Sequence, residues 1–198
     1  MLDLGPATRE AIRVVEGVTD DQLAGPTPCE GTPVAALLDH LMSLSFAFTW
    51  AARKTTAAEG GSGPPPQASA ENLDPGWRAA LPRRLADLAE AWRDPTAWQG
   101  TTEAGGITMP AAQAGVVALD EVVLHGWDLA RATGQPFRCD AANAEAVLAF
   151  TTELAKPENA PMREGLFGPV VDVPGDAPAF DRALGLAGRD PQWTPASA

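Results

Sequence analysis

The chain has only two histidines, His40 and His125, and one of them stands four residues after an acid, Glu121. On a helix that spacing brings the two side chains onto one face with Cβ atoms about 5–6 Å apart, close enough to share one ion. His40 lies in a separate apolar segment, Leu37-Leu38-Asp39-His40-Leu41. Two helices of one bundle could present both imidazoles and the carboxylate to a common point, the way bundle metal sites are built. Each histidine alone is more readily a packed core residue, and Glu121 with Arg131 or Arg138 could be an ordinary ion pair. On spacing alone, a metal site and a buried hydrogen-bond network stand level.

The segment Val116 to Arg131 carries two polar stripes at about 100° per residue. Gln113, Asp120 and Arg131 form the one assigned to solvent. Glu121, His125 and Asp128 form the other, bordered by Val117, Val122 and Leu129 and expected to face the interior. A buried carboxylate needs a partner or a metal to offset its desolvation. Asp128 has three readings: a fourth ligand, an acceptor that orients an imidazole, or a partner of Arg131; the last two are preferred to direct ligation. Cys29, in the loop leading to the helix of His40, reads as a packed loop residue rather than a nucleophile. Arg182 and Arg189 could meet an anionic substrate, although nothing in the sequence places them near the metal.

The elements that must position these groups are helices. Pro6 opens one running to about Val15, and Gly17 to Gly31 is a loop. Thr32 is the expected N-cap, with Pro33 at the first helical position, of a helix to about Lys54 whose stripe is Val34, Leu37, Leu41, Leu44 and Phe48. Residues 56 to 70, rich in Gly, Pro, Ser and Ala, read as a mobile linker. A third helix opens at Asp74-Pro75 and carries Trp77, Leu81, Leu85, Leu88 and Trp92, with a kink or restart expected at Pro82. Residues 96 to 108 have no assigned structure. A fourth helix spans about Pro110 to Thr133 and a fifth, capped by Asp140, Ala141 to about Leu154 with Val147, Phe150, Thr151 and Leu154 inward. The tail is rich in Pro and Gly, with one β-like stretch at Val170 to Val173. The expected fold is all-α, an antiparallel four-helix bundle over residues 1–155 with a short C-terminal appendage, 156–198, packing on it.

At 198 residues the chain suits one domain, and its 45% hydrophobic content excludes wholesale disorder. A formal charge of −12, with Lys54 and Lys156 the only lysines, speaks against a nucleic-acid partner. No uninterrupted apolar run reaches membrane-spanning length, and the first residues lack a signal-peptide pattern, so a cytoplasmic protein with no membrane partner is expected. The two cysteines, Cys29 and Cys139, are then expected to be free thiols. Monomer and homodimer are both open.

Pro26-Thr27-Pro28-Cys29-Glu30-Gly31, followed by Leu37-Leu38-Asp39-His40-Leu41 and later by Glu121-Val122-Val123-Leu124-His125-Gly126-Trp127-Asp128-Leu129-Ala130, resembles the actinobacterial branch of the DinB-like (YfiT-like) superfamily. That branch contains mycothiol-dependent maleylpyruvate isomerase. The tail motifs Phe167-Gly168-Pro169, Asp181-Arg182 and Gly188-Arg189-Asp190-Pro191-Gln192-Trp193 resemble the C-terminal pattern of a metal-binding subfamily within it. The resemblance implies a four-helix bundle that holds a divalent metal, commonly zinc, through His40, Glu121 and His125. Thr32 departs from the tryptophan that often follows the glycine in the family, which bears on the mouth of the site rather than on its ligands.

The resemblance also implies mycothiol as the small-molecule thiol. Three protein ligands leave a divalent ion an open position, and a thiol bound there is deprotonated near neutral pH. The expected function is a mycothiol-dependent transferase or isomerase in which a metal-bound thiolate attacks a small electrophile. The alternative is a bundle that binds a metal or ligand without turnover. Zinc leads the expected metals, with nickel, iron and manganese compatible with the donor set.

Overall fold

The computed structural model describes residues 1–55 and 67–195. Most of the segment read as a linker, residues 56–66, therefore lies outside the described residues. Among the described residues there are seven α-helices and one small hairpin: α1 (Gly5–Glu16), α2 (Val34–Ala52), α3 (Trp77–Ala91), β1 (Thr101–Ala104), β2 (Ile107–Pro110), α4 (Ala111–Ala132), α5 (Ala141–Leu154), α6 (Ala160–Arg163) and α7 (Ala179–Leu186). Both α3 and α4 pack against α1 and α2, so these four close a bundle around Leu38, Leu41, Leu81, Leu85, Leu119 and Val122. Outside that ring, α5 packs on α4, and α7 packs on α5.

The long apolar stripes explain this arrangement. α2 is long and apolar enough to cross a membrane by length and composition, yet 72% of its most apolar window is buried inside the bundle. Its start differs from expectation: Pro33, not Thr32, is the N-cap, and no side chain caps the helix. α3 runs through Pro82 without a break. The proline sits within the first two turns, where its missing N–H removes a single intrahelical bond and the buried Trp77, Leu81, Leu85 and Leu88 hold both sides in line. α5 is capped by Asp140, whose carboxylate accepts from the N–H groups of Ala142 and Asn143.

The stretch 96–108 contains a turn, Pro95–Trp98, and β1, which pairs antiparallel with β2. Gly105 and Gly106 connect the strands with φ of 57° and 81°, the left-handed pair that lets two residues reverse the chain. Thr102 donates its hydroxyl to the Ala51 carbonyl at 2.6 Å, which docks the hairpin on the end of α2.

Val170 to Val173 is not a strand; it is an extended segment lying along α7, with the Val171 N–H donating to the Gly185 carbonyl at 2.9 Å. Just beyond α7 the chain turns at Gly188, with φ of 80°, and crosses the backbone of Gly168 so closely that a Cβ there would lie 2.8 Å from Gly168. Only glycine permits that crossing, and it sets Phe167 beside Arg189.

Candidate metal centre

α2 and α4 bring His40, Glu121 and His125 together. His40 Nε2 lies 3.3 Å and His125 Nε2 3.1 Å from the same oxygen, Glu121 Oε2. The two rings stand edge to face with centroids 4.8 Å apart. The three potential ligand atoms all lie within 4.8 Å of one another. Two imidazole nitrogens and one carboxylate oxygen aimed at a common point are the donor set of a three-ligand divalent site, so the residues present fit such an ion. The side chain of His40 is 38% exposed and forms the open side, whereas that of His125 is 14% exposed.

Asp128, whose side chain is fully buried, accepts at Oδ2 from the other nitrogen of His125, Nδ1, at 3.0 Å. This contact fixes the ring so that Nε2 faces Glu121. Arg189 closes the far side of Asp128, with Nη2 3.0 Å from Oδ2 and Nε 3.3 Å from Oδ1. Asp128 thus orients an imidazole, and its cation is Arg189. Arg131, the partner considered from sequence, turns away to donate from Nε to the Trp193 carbonyl at 2.9 Å.

Cys29 belongs to the same cluster. Its thiol lies 3.1 Å from Asp128 Oδ2, 3.3 Å from Arg189 Nη2 and 4.0 Å from His125 Nδ1. The loop that carries it is rigidly built: the Thr27 hydroxyl donates to the Thr32 carbonyl at 2.8 Å, and an isolated bridge joins Pro26 to Pro33. An open cavity of about 440 Å³ lies over the cluster, walled by Cys29, His125, Leu166, Phe167 and Arg189.

The electrostatics follow from this wiring. Burial alone would raise the Glu121 carboxyl, but hydrogen bonds from His125 and His40 hold it below the usual range. Burial disfavours a charged His125, yet its contacts with Asp128, Cys29 and Glu121 push its pKa well above the usual value when no ion is bound. Burial also opposes the charge on Arg189, and Asp128 more than restores it.

Asp120 corrects the sequence reading. The helical wheel places it on a solvent stripe, but it is 3% exposed, because α5 covers that side of α4 and Phe167 and Arg189 of the tail lie beside it. Burial first, and then the neighbouring Glu121 carboxylate, push its carboxyl well above the usual range. The missed signal was the near-continuous apolar surface of α4 from Ala114 to Ala130, which marks a helix covered on more than one side. Arg189 was named in the sequence without a place. Its signal was Asp128 itself, a buried carboxylate that needed a cation from somewhere in the chain.

Among curated proteins none matches the chain by sequence. A crystal structure of the mycothiol-dependent maleylpyruvate isomerase matches in fold with a TM-score of 0.60 and 18% sequence identity, covering 97% of this chain and 79% of that one. The family model of the mycothiol maleylpyruvate isomerase N-terminal domain matches residues 4–130, the stretch that holds His40, Glu121, His125 and Asp128. On that match, the chain belongs to the mycothiol maleylpyruvate isomerase N-terminal domain family.

Proposed function

We propose that the protein is a mycothiol-dependent isomerase or transferase acting on a small electrophile, with a divalent metal, zinc first, held by His40, Glu121 and His125. The observation that carries the reading is the convergence of both histidine Nε2 atoms on Glu121 Oε2 beside an open cavity. A divalent ion held there would supply Lewis acidity and lower the pKa of a thiol in its open position. Every other part is played by the chain. Asp128 keeps His125 in the orientation that leaves Nε2 free to bind. Arg189 keeps Asp128 ionised and contributes a buried positive charge at the cavity wall. Leu166 and Phe167 line the cavity beside His125 and supply its apolar wall.

Addition of the thiolate sulfur to an activated double bond converts it to a single bond. Rotation and expulsion of the same thiolate then complete an isomerisation with the thiol regenerated. Where the adduct is protonated at carbon and released, the reaction is a transfer and the thiol is consumed. Both outcomes need the same thiol subsite.

The experiment is metal content by elemental analysis of untagged protein, native and His125→Ala, followed by calorimetric titration of the native protein with mycothiol. About one equivalent in the native chain, lost in the variant, together with saturable mycothiol binding, supports the reading. Absence of metal from native protein that also fails to take up added zinc overturns the metal centre, and metal-loaded protein that ignores mycothiol overturns the thiol.

A further inference from the structure

Beside the candidate centre, between α4, α5 and the tail, lies a small, partly open cavity of about 60 Å³. Its walls are apolar, from Val117, Leu124, Phe150 and Phe167, except where Asp120 and Arg189 reach it beside the ligands Glu121 and His125. Asp120 Oδ1 is buried, and among the described residues nothing donates to it. A buried acceptor without a partner is costly and rare, and in a folded protein it marks a place where a water or a ligand completes the set. The cavity has room for a substituent of a few heavy atoms.

We propose that this cavity is the subsite for a short, neutral arm bearing a hydroxyl or an amide, carried by the molecule that reacts at the centre, with Asp120 as its polar anchor. The inference rests on the reading that a small thiol or electrophile reacts beside His40, Glu121 and His125. The surrounding charges select the chemistry. A carboxylate arm drawn to Arg189 would be repelled by Asp120 and Glu121, and an ammonium drawn to those two would be repelled by Arg189, so a charged arm meets opposition either way. A plain alkyl arm would leave Asp120 Oδ1 unpaired and desolvated. A hydroxyl or amide both donates and accepts, so it satisfies the carboxyl whichever way that group is protonated. The apolar walls around it bury the arm's methylenes and exclude competing water, and in such a surrounding a single polar contact discriminates strongly.

The test compares 3-mercaptopropan-1-ol with butane-1-thiol, which replaces the hydroxyl by a methyl group. Occupancy is read from the methyl signals of Val117 and Leu124, which line the cavity and report with or without metal. Zinc uptake, measured separately, tests the metal reading by itself. Native protein is expected to bind the hydroxyl thiol at least tenfold more tightly. Asp120→Leu brings the ratio to about one, and Asp120→Asn retains a preference. Val117→Phe, which fills the cavity from another wall, abolishes it as well and serves where Asp120→Leu does not fold. Equal binding of the two thiols to native protein, or an undiminished preference in Asp120→Leu or Val117→Phe, overturns the subsite and leaves a water-filled cavity. Failure to take up zinc with the preference intact overturns the metal centre alone.

Discussion

Asp128 Oδ2 is shared between His125 Nδ1 and Arg189 Nη2, each at 3.0 Å, so a residue of the tail fixes the orientation of an imidazole in α4. The pair is buried, with side-chain exposures of 7% for Arg189 and none for Asp128. Removing one partner of a buried pair strands the other, at a cost of about 3–5 kcal/mol. Arg189→Met and Asp128→Leu should each destabilise by that order in urea unfolding. The double variant should lose clearly less than the sum, which a double-mutant cycle measures. Burial would raise Asp128, but Arg189 and then His125 hold it below the ordinary value of 3.8. This contribution is fully present above that value and disappears as pH falls through the lower, folded one. The coupling measured at pH 7 should therefore shrink in acid.

Zinc should stabilise the native chain in proportion to its binding. At a hundredfold excess over Kd the gain is about 2.7 kcal/mol, read as a rise in the urea midpoint. Glu121→Gln removes the carboxylate on which both histidines converge. Its midpoint should not move with zinc, and a native-like response in that variant would exclude Glu121 as a ligand.

The Cys139 thiol is pushed up to about 12 by burial, with Asp140 adding to the effect. In a Cys29→Ser background, alkylation of Cys139 by iodoacetamide should be very slow at pH 7 and rise about tenfold per pH unit up to pH 9 without levelling. A plateau below pH 9 would contradict this.

Gly188→Ala tests the backbone crossing. The position has φ of 80°, and an added Cβ would meet Gly168 at 2.8 Å. A loss of roughly 1–3 kcal/mol is expected from the strained conformation. Because Arg189 follows directly, zinc affinity should fall too; a neutral substitution would show that the tail can shift without consequence.

How far the sequence reached is clearest along α4. The meeting of Glu121 with His125 was legible because a spacing of four is local geometry, and that of His40 with them because only one other histidine exists. Asp120 was misread because a helical wheel ranks faces by one buried side, while α4 is covered by α1 and α2 and again by α5. The hairpin at Thr101–Pro110 escaped because its strands have four residues each, too few for alternation to register. Arg189 escaped for a different reason: its partner is 61 residues away, and no periodicity links them.

That separation bears on the order in which the molecule is assembled and comes apart. Leu184 and Ala187 of the tail share the core of the bundle, whereas the clasp on Asp128 is a polar contact that waits for an arginine 61 residues away. Long-range closures form late and open early when they hold little apolar surface. An order of loss on gentle denaturation follows: the polar clasp should open before the helices melt, so the imidazole should lose its alignment first. Zinc uptake should fade at lower urea than the helical signal, so that a sample can look folded by circular dichroism after it has stopped taking up the ion.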